Sequence, residues 1–373
     1  MKPKARIAVS VINDVRSDGR VHKVCSSLAA AGYDVVCFSR PTVTFDGDCL
    51  PPYRVEWLMG LPTSGKAMYG KFMWAIWKHL WGGQFDLLWA NDLDSLLPNV
   101  GIARLRNIPL VYDTHEYFTG MAELAHRPFE RKVWRLLERM LFRYPHTVLT
   151  VNESVARQYE VEYARPLQVI YNFPRRADRR RYHPPRLVPP IRILYQGALH
   201  VGRGLELMIE ALQYLSPEYH LDVVGKGPLE ERMKVLARRR GVAERVTFHG
   251  HIPFSQLPVY TAQAHVGLSI ESPAFANSAM SLPNKLLDYL NQGMPVVVSN
   301  LAEHARLVRR WGVGTIMKTY TADALVEAVR EITSSETSYR RFARNAFEAV
   351  DTALSWEHQE PRLLKIIADA LES

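Results

Sequence analysis

One stretch of the sequence combines residue types at a spacing suited to holding an anion. Ser281-Leu-Pro-Asn-Lys-Leu-Leu-Asp-Tyr-Leu-Asn-Gln-Gly293 is followed by the apolar run Met294-Pro-Val-Val-Val-Ser299. Pro283 suits the first position of a short helix, where its missing N–H costs nothing. Leu286, Leu287 and Leu290 then share one side, with Asn284, Lys285 and Asp288 on the other. Gly293 is placed to end the helix in a left-handed conformation, and residues 294–299 read as a buried strand. A helix N-terminus with free backbone N–H groups then carries a cation and a carboxylate on its exposed side. That combination holds phosphate and hydrogen-bonds a sugar hydroxyl. An ordinary helix feeding a core strand would explain the leucines but not the Asn-Lys-Asp side.

A second set of polar residues follows strand-like runs in the first half. These runs cover residues 6–12, 34–38, 85–90, 109–112 and 147–151, with helical patterns between most of them. They are succeeded by Asn13-Asp14, Asn91-Asp92, Asp113-Thr-His-Glu116 and Asn152-Glu153. Such alternation argues for a parallel, doubly wound sheet, in which ligands gather at the carboxyl ends of strands. His115 is the best catalytic candidate there. For Asp92, Asp94 and Asp113 helix capping competes with a functional role. Asp92-Leu-Asp94 also has the form of a metal-binding Asp-x-Asp, but it precedes a helical pattern in a two-domain layout, so capping is preferred. The turn after the first strand holds no Gly-x-Gly-x-x-Gly, which sets aside a dinucleotide dehydrogenase.

The bulk properties bound the rest. A chain of 373 residues exceeds what one core usually supports, so two domains are expected. No apolar run approaches the roughly 20 residues that span a bilayer. The opening Met-Lys-Pro-Lys-Ala-Arg and the run 7–12 read as a first strand rather than a signal segment. Cys25, Cys37 and Cys49 form no Cys-x-x-Cys pair, which points to reduced thiols and a cytoplasmic setting. With 47 basic and 38 acidic residues the net charge is +9, suited to nucleotide diphosphates, lipid headgroups or nucleic acid.

Two helical stripes are both aromatic or apolar and basic. One joins Tyr69, Phe72, Met73, Ile76, Trp77 and Leu80, widened by Trp74 and Trp81 and flanked by Lys66, Lys71 and Lys78. The other joins Val133, Leu136, Leu137 and Met140, with Arg131, Arg135, Arg139 and Arg143 in a row. Either would suit the surface of an anionic membrane, making the protein peripheral on its inner face. Packing on the sheet is the commoner fate of such stripes and is the expectation for both. Residues 174–190 are rich in proline and arginine without periodicity, which marks an interdomain linker. No aromatic stacking platform or recognition helix accompanies those arginines, so nucleic acid is not expected as a partner.

A second alternation begins beyond the linker, with strands ending at Gly197, Gly225, Gly250, Ile270 and Ser299. Here the residues resemble the retaining GT-B glycosyltransferases of glycosyltransferase family 4, the glycosyl transferases group 1. The likeness rests on Ser281–Ser299, on Ile193-Leu-Tyr-Gln-Gly-Ala-Leu-His-Val-Gly-Arg-Gly-Leu-Glu206, on Gly225-Lys-Gly227, on Phe248-His-Gly-His-Ile252 and on Val111-Tyr-Asp-Thr-His-Glu116.

The resemblance implies an α/β GT-B fold, two Rossmann-like domains facing a cleft with a C-terminal helix crossing back. Residues 1–173 would form the acceptor-side domain, joined by the helix within 355–373, and residues 191–354 the donor domain. It implies that Asp288 binds the donor ribose and that Leu282, Pro283, Asn284 and Lys285 hold the diphosphate. Arg203 beside Gly202 would grip the distal phosphate, Lys226 would lie on a donor-facing turn, and His251 and Ile252 would bracket the nucleobase. His115 would contact the transferred sugar, with Asn13, Asp14 and Asn152 on the acceptor side. The family often has a glutamate where this chain has Met280, so Asn277, Ser278 or Glu271 is expected to take over the sugar contact.

The implied reaction is metal-independent transfer of a hexosyl unit, with retention, from a nucleoside-diphosphate sugar to a hydroxyl of a glycan or lipid-linked acceptor in cell-surface polysaccharide or glycolipid assembly. No resident cofactor is expected. The alternatives are a nucleotide-sugar epimerase of the same fold and a non-catalytic GT-B scaffold.

Overall fold

The computed structural model describes residues 3–41, 51–120, 127–176, 184–253 and 256–372. Cys49 and residues 177–183 of the expected linker lie outside these, as does the side chain of Asn277. The chain divides into two compact units, Met1–Asn172 with Gln359–Ser373, and Phe173–His358.

Strands of the first unit are β1 (Arg6–Val11), β2 (Asp34–Ser39), β3 (Arg54–Trp57), β4 (Leu87–Asn91), β5 (Leu110–Thr114), β6 (Thr147–Thr150) and β7 (Gln168–Val169). Their order is β3-β2-β1-β4-β5-β6-β7, and every neighbouring pair is parallel. Helices cover both faces, so central strands are apolar throughout: Ile7, Ala8, Val9, Leu87, Leu88 and Trp89 are fully buried. The order reverses at β1 and β4, the topological switch point at whose carboxyl ends open α/β sheets bind their ligands.

The second unit repeats the plan with β8 (Ile191–Gln196), β9 (Tyr219–Val224), β10 (Val246–Gly250), β11 (Val266–Ser269), β12 (Val296–Val298) and β13 (Gly314–Ile316). The order is β10-β9-β8-β11-β12-β13, again all parallel. Its switch point falls between β8 and β11. Ile193, Tyr195, Leu268, Val297, Leu325 and Val329 belong to one continuous core beneath that point.

The sequence reading omitted β3, β7 and β13. β3 is a half-exposed edge strand, β7 has two residues, and β13 has three beginning at a glycine, so none carries a readable apolar period. Gly314 is required there because a Cβ would come within 1.9 Å of the Val296 carbonyl.

The two basic stripes meet different fates. In the Lys66–Gly82 helix Phe72, Ile76 and Leu80 of the expected stripe are buried, Met68 joins them, and Trp74 and Trp81 are exposed. The Pro128–Leu141 helix corrects the expectation. It turns Glu138 and Leu141 inward with Trp134, whose ring meets Tyr69 and Phe118 edge-on. The inward turn of Glu138 is satisfied by the hydroxyls of Tyr159 and Tyr163, which donate at 3.0 and 2.9 Å. Phe129, Val133, Leu136 and Met140 are left facing solvent, at 73, 50, 61 and 56% exposure.

The last helix, Trp356–Glu372, gives its first residues to the second unit and Gln359 onward to the first. In the first unit Gln359 Oε1 accepts the Tyr171 N–H at 3.1 Å, and Ser27 donates to Glu360.

Candidate active site

The Asn284–Asn291 helix forms as its sequence dictates, with one shift. Pro283 is the N-cap, at φ −65° and ψ 140°, rather than the first helical residue. Its extended ψ delays the first turn by one position. Pro283 itself has no side-chain acceptor to offer the first-turn N–H groups. Gly293 ends the helix at φ +67°, as expected.

Leu286, Leu287, Tyr289 and Leu290 are buried, and so is Lys285, which corrects its expected place on the exposed side. The reason is a counter-ion delivered by another strand. Glu271, two residues beyond β11, places Oε1 2.7 Å from Lys285 Nζ, and the ammonium also lies 4.3 Å from the Tyr195 ring centroid. Arg203 Nη1 approaches the same Glu271 oxygen at 3.5 Å. Ser269 Oγ donates to Glu271 Oε2 at 3.0 Å, and His304 Nε2 lies 3.9 Å away. Burial works to raise the Glu271 pKa, but Lys285, with His304 and Arg203, outweighs it and holds the carboxyl at about 2. Burial pushes Lys285 down, opposed by Glu271. Glu271 is fully buried, so it is not free to make the sugar contact suggested for it.

Arg203 leaves a loop after β8 in which Gly202 and Gly204 sit at φ +85° and +76°. A Cβ at Gly204 would come within 2.5 Å of the Ile270 carbonyl, and one at Gly202 within 2.7 Å of the Phe275 ring. Glycine therefore lets this loop lie directly against the end of β11, bringing Arg203 to Glu271. The guanidinium side chain remains 42% exposed.

Asp288 is half-buried and accepts from Gln196 Nε2 at 3.2 Å, while the Gln196 N–H donates to Tyr289 Oη at 2.8 Å. The loops after β8, β9 and β10 are tied side by side: Leu199 N–H donates to the Lys226 carbonyl and Gly225 N–H to the Gly250 carbonyl. Lys226 and His251 are exposed on this edge, and Ile252, Leu282 and Ser278 are half-buried. Sequence reasoning missed Tyr195, Gln196 and His304. For Gln196 the signal was available, a polar residue closing an apolar strand.

In the first unit His115 leaves β5 and is held on three sides. Its N–H donates to Asp92 Oδ1 at 2.9 Å and its Nδ1 lies 3.3 Å from Asp92 Oδ2. Its Nε2 lies 3.2 Å from Asn91 Oδ1 and 3.6 Å from Asp113 Oδ2. Asp113 in turn receives a two-pronged bond from Arg20, at 2.9 and 2.7 Å. Burial disfavours the charged ring, but Asp92 and Asp113 outweigh it and raise the His115 pKa to about 9.

The capping reading of Asp92 and Asp113 is thereby corrected. Asn91 occupies the N-cap, and Asp92 stands at φ +57°, turned toward His115. Asp113 lies within β5, and Asp94 is buried, its pKa raised by desolvation and then by Asp92.

Two of the three acceptor-side candidates are closed off. Asp14 is buried and grips Arg16 Nε and Nη2 at 2.9 and 2.6 Å. Asn152 caps the Glu153–Tyr163 helix, accepting from Val155 N–H at 2.9 Å. Asn13 is exposed and reaches Asp18 at 3.4 Å.

Comparison with known proteins adds to this geometry. The family described as glycosyl transferases group 1 matches residues 180–349, and a glycosyl transferase 4-like domain matches residues 19–172. The glycogen synthase of Mycobacterium tuberculosis is 24% identical over 370 residues, 90% of this chain and 87% of that one. The structure of sucrose-phosphate synthase from Thermosynechococcus elongatus is similar with a TM-score of 0.81 at 19% identity, covering 98% of this chain and 99% of that one. Anabaena Alr3699/HepE in complex with UDP and glucose is similar at 0.74 and 14%, covering 98% of this chain and 100% of that one.

Proposed function

Since this chain belongs to the glycosyl transferases group 1 family, we propose that it moves a glycosyl unit from a nucleoside-diphosphate sugar to a hydroxyl of a glycan or lipid-linked acceptor, with retention and without a metal. The observation that carries the reading is the meeting of Arg203 and Lys285 over one buried carboxylate, at the first turn of the Asn284–Asn291 helix. In the step, the bond from the anomeric carbon to the diphosphate breaks and a bond to the acceptor oxygen forms. The acceptor proton leaves on the departing phosphate. Arg203, Lys285 and the first-turn N–H groups stabilise the developing charge. Asp288 accepts from the ribose hydroxyls. His115, charged at neutral pH, donates to a hydroxyl of the transferred sugar.

The test is incubation with UDP-, GDP- and ADP-linked hexoses and lipid or glycan acceptors, following product and anomeric configuration by NMR. A product of inverted configuration overturns the proposed stereochemistry. An epimer without transfer identifies an epimerase, and nucleotide binding without turnover a scaffold.

The exposed face of the Pro128–Leu141 helix supports a place at an anionic membrane. Phe129, Val133, Leu136 and Met140 are flanked by Arg131, Lys132, Arg139 and Arg143, the arrangement of a helix lying in the headgroup plane. Among the described residues no helix is long and apolar enough to cross a membrane. Flotation with anionic vesicles tests this; protein left wholly in the soluble fraction at low salt overturns it.

A further inference from the structure

We propose that Glu271 is a positioning residue that keeps Lys285 protonated and aimed, and that yields Lys285 and Arg203 to an arriving diphosphate. The inference rests on the reading of those two residues as the phosphate-binding cations.

An ammonium without solvent contact loses its proton unless a negative charge holds it. The groups that face Lys285 come from several elements. They are Glu271 after β11, Arg203 after β8, the Tyr195 ring of β8 and, across Glu271, His304 of the Ala302–Trp311 helix. Tyr320 donates to the Ile270 carbonyl beside them, at 3.3 Å. His304 is neutral, because burial outweighs Glu271 and lowers its pKa to about 4. Arg203 is positive. Among these groups Glu271 alone is negative, so removing its charge leaves burial and Arg203 both driving Lys285 toward a neutral amine.

The fit of Glu271 to its partners is uneven. Lys285 is held at 2.7 Å and Arg203 only at 3.5 Å, on the same oxygen. Ser269 fixes the other oxygen at 3.0 Å, which sets the carboxylate plane. Two cations therefore share one carboxylate, and a diphosphate supplies the additional charge and oxygen atoms that satisfy both.

The experiment is calorimetric titration of the full chain with UDP and with GDP, from about pH 6 to about pH 9, around the range where a buried amine titrates. Wild type is expected to be nearly flat. Glu271→Gln is expected within about twofold of wild type at the acid end and about tenfold or more weaker at the alkaline end, the worth of one charge-assisted bond. Glu271→Asp retains most of the flat profile. A Glu271→Gln profile parallel to wild type, even with lowered stability, overturns the inference. Where that variant folds poorly, Glu271→Gln/Lys285→Arg serves, since arginine stays charged throughout. A flat profile is expected, and a sloping one overturns the inference. Arg203→Ala separates the two levels: undiminished binding there defeats the donor reading itself.

Discussion

Lys285 and Glu271 form a buried ion pair, Nζ to Oε1 at 2.7 Å, with side-chain exposures of 7 and 0%. The pair ties the first turn of the Asn284–Asn291 helix to the loop after β11, so the proposed phosphate seat is built into the core of its unit. Stability and donor binding are consequently linked at these two residues.

The first consequence concerns stability. Lys285→Met leaves the buried carboxylate with only the longer approach of Arg203, at 3.5 Å, for a counter-charge and is expected to cost about 3–5 kcal/mol. Lys285→Met/Glu271→Gln removes both charges and should recover most of that loss. Denaturant unfolding of the two variants measures this, and a single variant as stable as wild type would refute it.

Arg203 should separate binding from folding, because its guanidinium is 42% exposed and its partner keeps Lys285. Arg203→Ala is expected to leave the unfolding midpoint near wild type. The donor KM should rise about tenfold or more, the loss of a charge-assisted bond of about 1.5–3 kcal/mol.

For His115 the direction of the pH effect is set by Asp92 and Asp113, which hold its pKa at about 9 against burial. The folded value lies above the ordinary 6.5, so the stabilisation is complete below 6.5 and disappears as pH rises through 9. Activity should follow the charged ring. No limb is expected near 6.5, kcat/KM should fall above about 9, and His115→Gln should abolish that fall.

Glu138 offers a test in the first unit. Burial raises its pKa from 4.5 to about 7, against the opposing bonds from Tyr163 and Tyr159. Between those values the folded state binds more protons than the unfolded one, so stability declines as pH rises through this window. Glu138→Gln should flatten the decline, a difference from wild type of about 2–3 kcal/mol across it. Thermal unfolding at the two ends of the window measures it.

At the exposed face, Leu136→Glu/Met140→Glu places two carboxylates among the basic residues. It should weaken sedimentation with anionic vesicles about tenfold or more, because basic residues near such a surface contribute about 1 kcal/mol each. The unfolding midpoint should not change, since both side chains are more than half exposed, at 61 and 56%.

The two parallel sheets were legible from the residues alone, because their buried strands are continuous apolar runs separated by helical periods. So were the glycine loop around Arg203 and the helix closed by Gly293, where local conformation depends on the residue itself. Short edge strands such as β3 and β13 were not, since so few residues carry no period. What the charged residues face depends instead on which distant segments folding brings beside them. Lys285 was expected on an open side but is buried against Glu271, and Asp92 was expected to cap a helix but holds His115 instead. Periodicity records which side of a helix is apolar. It does not record which neighbouring strand end brings a counter-charge near enough to make burial of a cation favourable.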